Sequence, residues 1–195
     1  MTAATLENPV TGERFTFTEV TPERLAFDFA LREGGKVPIP HVHATQTERF
    51  EVVAGTVRFR LGLRTVLAEA GDVIEVPPGV THAFANAGAG EARMKIEVTP
   101  ALEMHAMFTE VVAMAHGGRM NRRGLPRNLR DLATLAHRYA EEAHAPLLTA
   151  RLQRWLMAPL ARRARGERRE RACGRRRDRR AVRASAVASA SAGCR

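Results

Sequence analysis

Two stretches decide how this chain reads: Gly35-Lys-Val-Pro-Ile-Pro-His41-Val-His43-Ala-Thr-Gln-Thr-Glu48-Arg-Phe-Glu-Val-Val-Ala-Gly55 and Gly71-Asp-Val-Ile-Glu-Val-Pro77-Pro-Gly79-Val-Thr-His82-Ala-Phe-Ala-Asn86. Pro38 and Pro40 exclude helix from the first and push their predecessors into extended conformation. His41 and His43 are two residues apart, so in an extended chain both side chains point the same way. Glu48 opens an alternating run in phase with Phe50 and Val52, and His82 is in phase with Val80 and Phe84. His41, His43, Glu48 and His82 are therefore candidate ligands for one divalent metal ion. Three neutral imidazoles and a carboxylate suit a hard or borderline cation and leave coordination positions open.

The same period-two alternation extends outward from these stretches. It predicts strands over 14–20, 25–31, 36–43, 48–54, 57–61, 64–68, 73–76, 80–85 and 92–99, separated by Gly- and Pro-rich turns, and it leaves residues 1–12 as a turn-rich start. About nine short strands at regular spacing point to an all-β sandwich or jelly-roll barrel. The inward phase would hold Phe27, Phe29, Phe50, Val52, Phe59, Leu61, Phe84, Met94, Ile96 and Val98, while Arg49, Arg58, Arg60 and Arg93 fall on the outward phase. A cavity so lined favours an aromatic or aliphatic ligand and O2 over a phosphosugar. Thr45, Gln46 and Glu75 are placed to add polar contacts near the ligands.

At Pro100 the period changes to 3.6. Helices are expected over 102–116, 128–143 and 146–160, the last ending at Pro159. The chain thus divides into a β-barrel domain at 1–100, a C-terminal α-helical extension at 101–161, and an Arg/Ala-rich tail at 162–195 that lacks the large apolar residues of a core and is expected to be disordered or a frame-shifted end.

The formal net charge of +10 suggests nucleic acid until it is mapped. Residues 1–161 carry as many acidic as basic residues, so the whole excess lies in the tail. The body has no electrostatic case for nucleic acid or an anionic membrane. The 2 cysteines, Cys173 and Cys194, also sit in the tail, so neither a disulfide framework nor a thiolate metal site is expected in the body. With no apolar run long enough for a membrane span and no signal-peptide pattern, the expected location is cytoplasmic.

The two stretches resemble the paired signature motifs of the cupin superfamily. Gly35, His41, His43, Glu48 and Gly55 match the first, and Gly71, Pro77, Gly79, His82 and Asn86 match the second, over a resemblance that covers roughly residues 20–100. It implies a small jelly-roll barrel, often a homodimer, with one mononuclear ion (Fe, Mn, Ni or Zn) on His41, His43, Glu48 and His82. Resemblance to flavonol-cleaving cupins further implies a metal-dependent, dioxygenase-like oxidoreductase acting on a small organic substrate, with Glu48 able to detach as a catalytic base. The alternative is a non-catalytic module that binds or senses a small ligand at the same metal.

Overall fold

The computed structural model describes residues 5–37 and 39–164. Nine strands come first: β1 (Thr5–Glu7), β2 (Glu13–Val20), β3 (Leu25–Leu31), β4 (Thr47–Ala54), β5 (Thr56–Leu61), β6 (Arg64–Glu69), β7 (Val73–Val76), β8 (His82–Asn86) and β9 (Ala92–Thr99). They form a six-stranded sheet in the order β1-β2-β3-β9-β4-β7 and a three-stranded sheet in the order β6-β5-β8. All pairings are antiparallel. The crossovers that place β9 between β3 and β4, and β8 beside β5, are those of a jelly roll.

The alternation of side chains produces this arrangement. In β9, Ala92, Met94, Ile96 and Val98 are buried while Arg93 and Lys95 are exposed. In β5, Val57 and Phe59 are buried while Arg58 and Arg60 are exposed. The inward residues meet in one core, where Phe50, Phe59 and Phe84 lie with ring centroids 5.2–5.6 Å apart. The predicted inward set is buried, with Leu61 only partly so.

Two tight reversals depend on glycine. Gly55 has φ +80°, and a Cβ there would lie 3.0 Å from Ala92 Cα. Gly79 has φ +81° with open space around it. Asn86 has a structural use: its Nδ2 donates to the carbonyls of Leu31, Arg32 and Gly90, and its Oδ1 accepts from Gly88 N.

The helices pack onto this framework. In α1 (Met104–His116), the Phe108 ring lies tilted against Phe15 at 4.8 Å and edge-on to Phe27 at 5.7 Å. Asn128 caps α2 (Leu129–Arg138) by accepting from Arg130 N. A third helix, α3, covers 150–164.

Several sequence expectations need correction. The turn-rich start contains β1, which pairs with β2 from Thr5↔Thr16 to Glu7↔Arg14. α2 stops at Arg138 rather than near 143, because the chain must turn to bring 141–144 back to the barrel. α3 begins four residues later than expected and continues past Pro159, which forfeits its own hydrogen bond without ending the helix. Residues 162–164 belong to α3, with Ala164 buried. The expectation for 165–195 lies outside the described residues. Among the described residues, no helix is long and apolar enough to cross a membrane.

Candidate metal centre

The four predicted ligands come from three separate places in the chain. His41 and His43 lie on the extended segment before β4. Glu48 is the second residue of β4 in the large sheet, and His82 opens β8 in the small one. A two-way backbone pair joins two of these places: His41 N donates to His82 O at 3.1 Å, and His82 N donates to His41 O at 2.9 Å. The turn at Pro77-Pro78-Gly79 is tied to the same segment, as Gly79 N donates to His43 O at 2.9 Å. The set therefore bridges the two sheets, and its ligand atoms all lie within 4.8 Å of one another. His43, Glu48 and His82 are buried; His41 is the most open.

Each imidazole is oriented by a backbone carbonyl. His41 Nδ1 lies 3.1 Å from Ile39 O, His82 Nδ1 lies 3.1 Å from Val80 O, and His43 Nδ1 is hydrogen-bonded to Glu142 O. A carbonyl only accepts, so each Nδ1 carries a proton, and in the neutral imidazole Nε2 is left with a lone pair. Glu48 Oε2 sits 2.8 Å from His82 Nε2 and 3.1 Å from His43 Nε2. His43 Nε2 makes no hydrogen bond and is buried.

This donor set fits a cation. With the Nδ1 protons committed, lone pairs on Nε2 atoms face a carboxylate oxygen at hydrogen-bonding distance, and only a positive species between them removes that repulsion. A proton can serve one such contact. A divalent ion serves all four groups at once.

Electrostatics follow the geometry. His41 is pushed down to about 4, first by burial and then by His82 and His43. It is therefore neutral and ligand-ready around pH 7. Burial opposes charge on His43, but the Glu48 carboxylate outweighs it and raises His43 above its ordinary value. Burial likewise opposes ionisation of Glu48, and His43 and His82 outweigh it, holding the carboxyl well below the usual range.

The chamber in front of these ligands has a volume of about 80 Å³, and its wall includes Phe27, Phe29, Phe50, Phe84, Met104 and Phe108. No Lys or Arg lines it. Of the three polar residues expected near the site, Thr45 and Glu75 are exposed. Gln46 is fully buried, and its Nε2 donates to the carbonyls of Pro100 and Ala101 at 3.0 Å, fastening the start of the helical segment. His105, His116, His137 and His144 form no second ligand cluster among the described residues.

The sequence reading missed two contributors. Glu142, 99 residues from His43, acts through its backbone oxygen, which no side-chain pattern reports. Glu13 lines the chamber. It is in phase with the buried Phe15 and Phe17 on β2, so its inward direction was readable had that strand been started one residue earlier.

Comparison with known proteins agrees with this picture. The family described as "Cupin domain" matches residues 27–99. No curated protein matches the chain. Among solved structures, KdgF from Halomonas sp. is similar at 18% identity and a TM-score of 0.45, covering 49% of this chain and 84% of that one. An RmlC-like cupin from Shewanella frigidimarina is similar at 21% identity and a TM-score of 0.45, covering 53% and 88%. Pac13 of Streptomyces, a nucleoside dehydratase, is similar at 23% identity and a TM-score of 0.42, covering 51% and 77%. With both motifs in register and the candidate ligands gathered at the junction of two sheets, residues 27–99 are the part of the chain that matches the cupin domain family.

Proposed function

We propose that this protein is a metal-dependent oxidoreductase of dioxygenase type acting on a small, apolar organic substrate. The observation that carries the reading is the composition of the chamber: His41, His43 and Glu48, three of the four clustered candidate ligands, face a wall of Phe and Met side chains with no fixed cation. His41, His43, Glu48 and His82 would hold the ion. A bound Fe, Mn, Ni or Zn supplies Lewis-acid polarisation and, where redox-active, electron transfer.

The chain's own residues do the rest. The phenylalanines exclude water and favour apolar ligands. The carbonyls of Ile39, Val80 and Glu142 keep each imidazole in one tautomer and orientation. Glu48 is the one carboxylate among the four ligands. Released from its histidine partners, it would accept a proton from the substrate as the catalytic base.

The test is turnover. Metal-loaded protein, incubated with a panel of aromatic and aliphatic compounds under air, should consume O2 in step with product and lose this activity in Glu48→Gln. Metal-loaded protein that consumes no O2 and converts nothing would favour the rival reading, a non-catalytic module that holds a small ligand at the same ion. The small size of the chamber is the feature that favours that rival. A homodimer and a cytoplasmic location belong to the same proposal, checked by light scattering and cell fractionation.

A further inference from the structure

A second cavity, of about 250 Å³, adjoins the metal chamber. The two share Glu13, Phe15, Val37, His41, Met107 and Phe108 as a common wall, so the second space lies directly beside the first, on the side facing the helices. Its outer wall comes from the helical region, including Val111 and Val112 of α1 and Leu132 and Leu135 of α2. At about 250 Å³ the second cavity lies just under the ~300–1,000 Å³ typical of small-molecule sites.

Apart from the candidate metal ligands, the polar side chains that line the two spaces, Asn8, Thr11 and Glu13, gather in one corner. Glu13 is buried, with its Oε2 accepting from Asn8 Nδ2 at 3.1 Å and from Thr11 Oγ1 at 2.5 Å. Its Oε1 takes no hydrogen bond from the described residues, and Glu13 lines both spaces. A carboxyl with one oxygen fixed and the other free, at the junction of two apolar spaces, is arranged to meet a ligand rather than to hold the fold. No Lys or Arg lines either space, so an anionic ligand would face a carboxylate without a counter-charge.

We propose that the helix-walled cavity is the binding site for an apolar molecule bearing one hydroxyl, with the hydroxyl held by Glu13 at the junction and the apolar body lying against α1 and α2. Burial raises the Glu13 carboxyl above its ordinary value, while Thr11 and Asn8 oppose that shift. A hydroxyl suits both protonation states, since it donates to a carboxylate and accepts from a carboxylic acid. The proposal rests on the oxidoreductase reading for its substrate class, but the binding itself needs no metal.

The experiment is equilibrium binding of 2-naphthol and naphthalene to the full chain, each ligand followed by its own fluorescence. The wild type should bind one 2-naphthol, roughly tenfold more tightly than naphthalene. Glu13→Ala should erase that preference while keeping naphthalene affinity within about twofold. Leu135→Trp, which fills the outer wall, should weaken both ligands by roughly tenfold or more. His82→Ala should still bind 2-naphthol after losing its metal. The proposal is overturned by equal wild-type affinity for the two ligands, by a preference that survives Glu13→Ala, by unchanged binding in Leu135→Trp, or by loss of naphthol binding in His82→Ala. The wild-type comparison and Leu135→Trp decide the matter even if Glu13→Ala does not fold. Naphthol binding as expected with no turnover on any substrate would sink only the oxidoreductase reading.

Discussion

His43 and Glu142 are 99 residues apart in sequence, yet the imidazole Nδ1 of the first donates to the backbone carbonyl of the second. The contact belongs to a short stretch of backbone pairing. Val42 N donates to His144 O and His144 N donates to Val42 O, both at 3.0 Å, and Ala44 N donates to Glu141 O at 3.3 Å. The segment between α2 and α3 thus lies alongside the ligand strand and fixes the tautomer of a buried ligand. The helical extension is in this sense part of the candidate metal centre.

Removing that support should weaken metal binding without removing any ligand. Val42→Pro eliminates the Val42 N–H and with it one half of the pair to His144. Metal affinity, measured by competition with a chromophoric chelator, should fall by roughly 10–100-fold. Unchanged affinity would mean that Glu142 plays no part in holding His43.

Removing ligands should have a larger effect. Wild-type protein purified without a metal-chelating tag should carry close to one metal per chain by elemental analysis. The double variant His41→Ala/His82→Ala should carry almost none. Equal metal in the two proteins would rule out the site.

The buried Glu13 makes a prediction about pH. Its carboxyl sits above the ordinary value near 4.5, with burial the main cause. The folded state therefore prefers the protonated form. Its contribution to stability is fully present below the unfolded value and is lost as pH rises through the folded one. Glu13→Gln keeps the group neutral at every pH. The gap in Tm between Glu13→Gln and wild type should widen in favour of the variant between about pH 4 and pH 8. A gap that stays flat would show that Glu13 ionises in the fold as it does in water.

Two turns separate backbone strain from crowding. At Gly79 an added Cβ meets open space, so Gly79→Ala should lose only the left-handed penalty of ~1–2 kcal/mol. At Gly55 the same penalty is joined by Ala92 Cα at 3.0 Å, so Gly55→Ala should lose more. Phe59→Ala, at a fully buried position, should cost ~3–5 kcal/mol. Urea unfolding of the three variants would test the ranking.

Much of the barrel was legible because half-buried strands write their burial at every second residue. Strands 25–31, 73–76 and 92–99 coincide with β3, β7 and β9. Strand β1 was not legible. Its three residues are exposed or partly so, and what makes them a strand is pairing with β2. The helix ends were misplaced for a similar reason. Periodicity predicts that α2 runs to 143, but hydrogen bonding of Val42 and Ala44 to residues 141–144 is worth more than another turn of helix.

Sequence by itself determined the types, phase and order of the candidate ligands. His41-x-His43 shares a face in any extended chain, Glu48 and His82 sit on the inward phase of their strands, and the glycines and prolines restrict where the chain can turn. Tertiary structure decided the remainder. Only the closure of two sheets brings Glu48 Oε2 to 2.8 Å from His82 Nε2. Only the return of 141–144 supplies the carbonyl to His43. Only the docking of α1 and α2 adds a helix-walled apolar cavity beside the metal chamber, with Glu13 lining both. Local spacing encodes direction along an element. Which elements meet is set by burial of the whole core, and that quantity has no local signature.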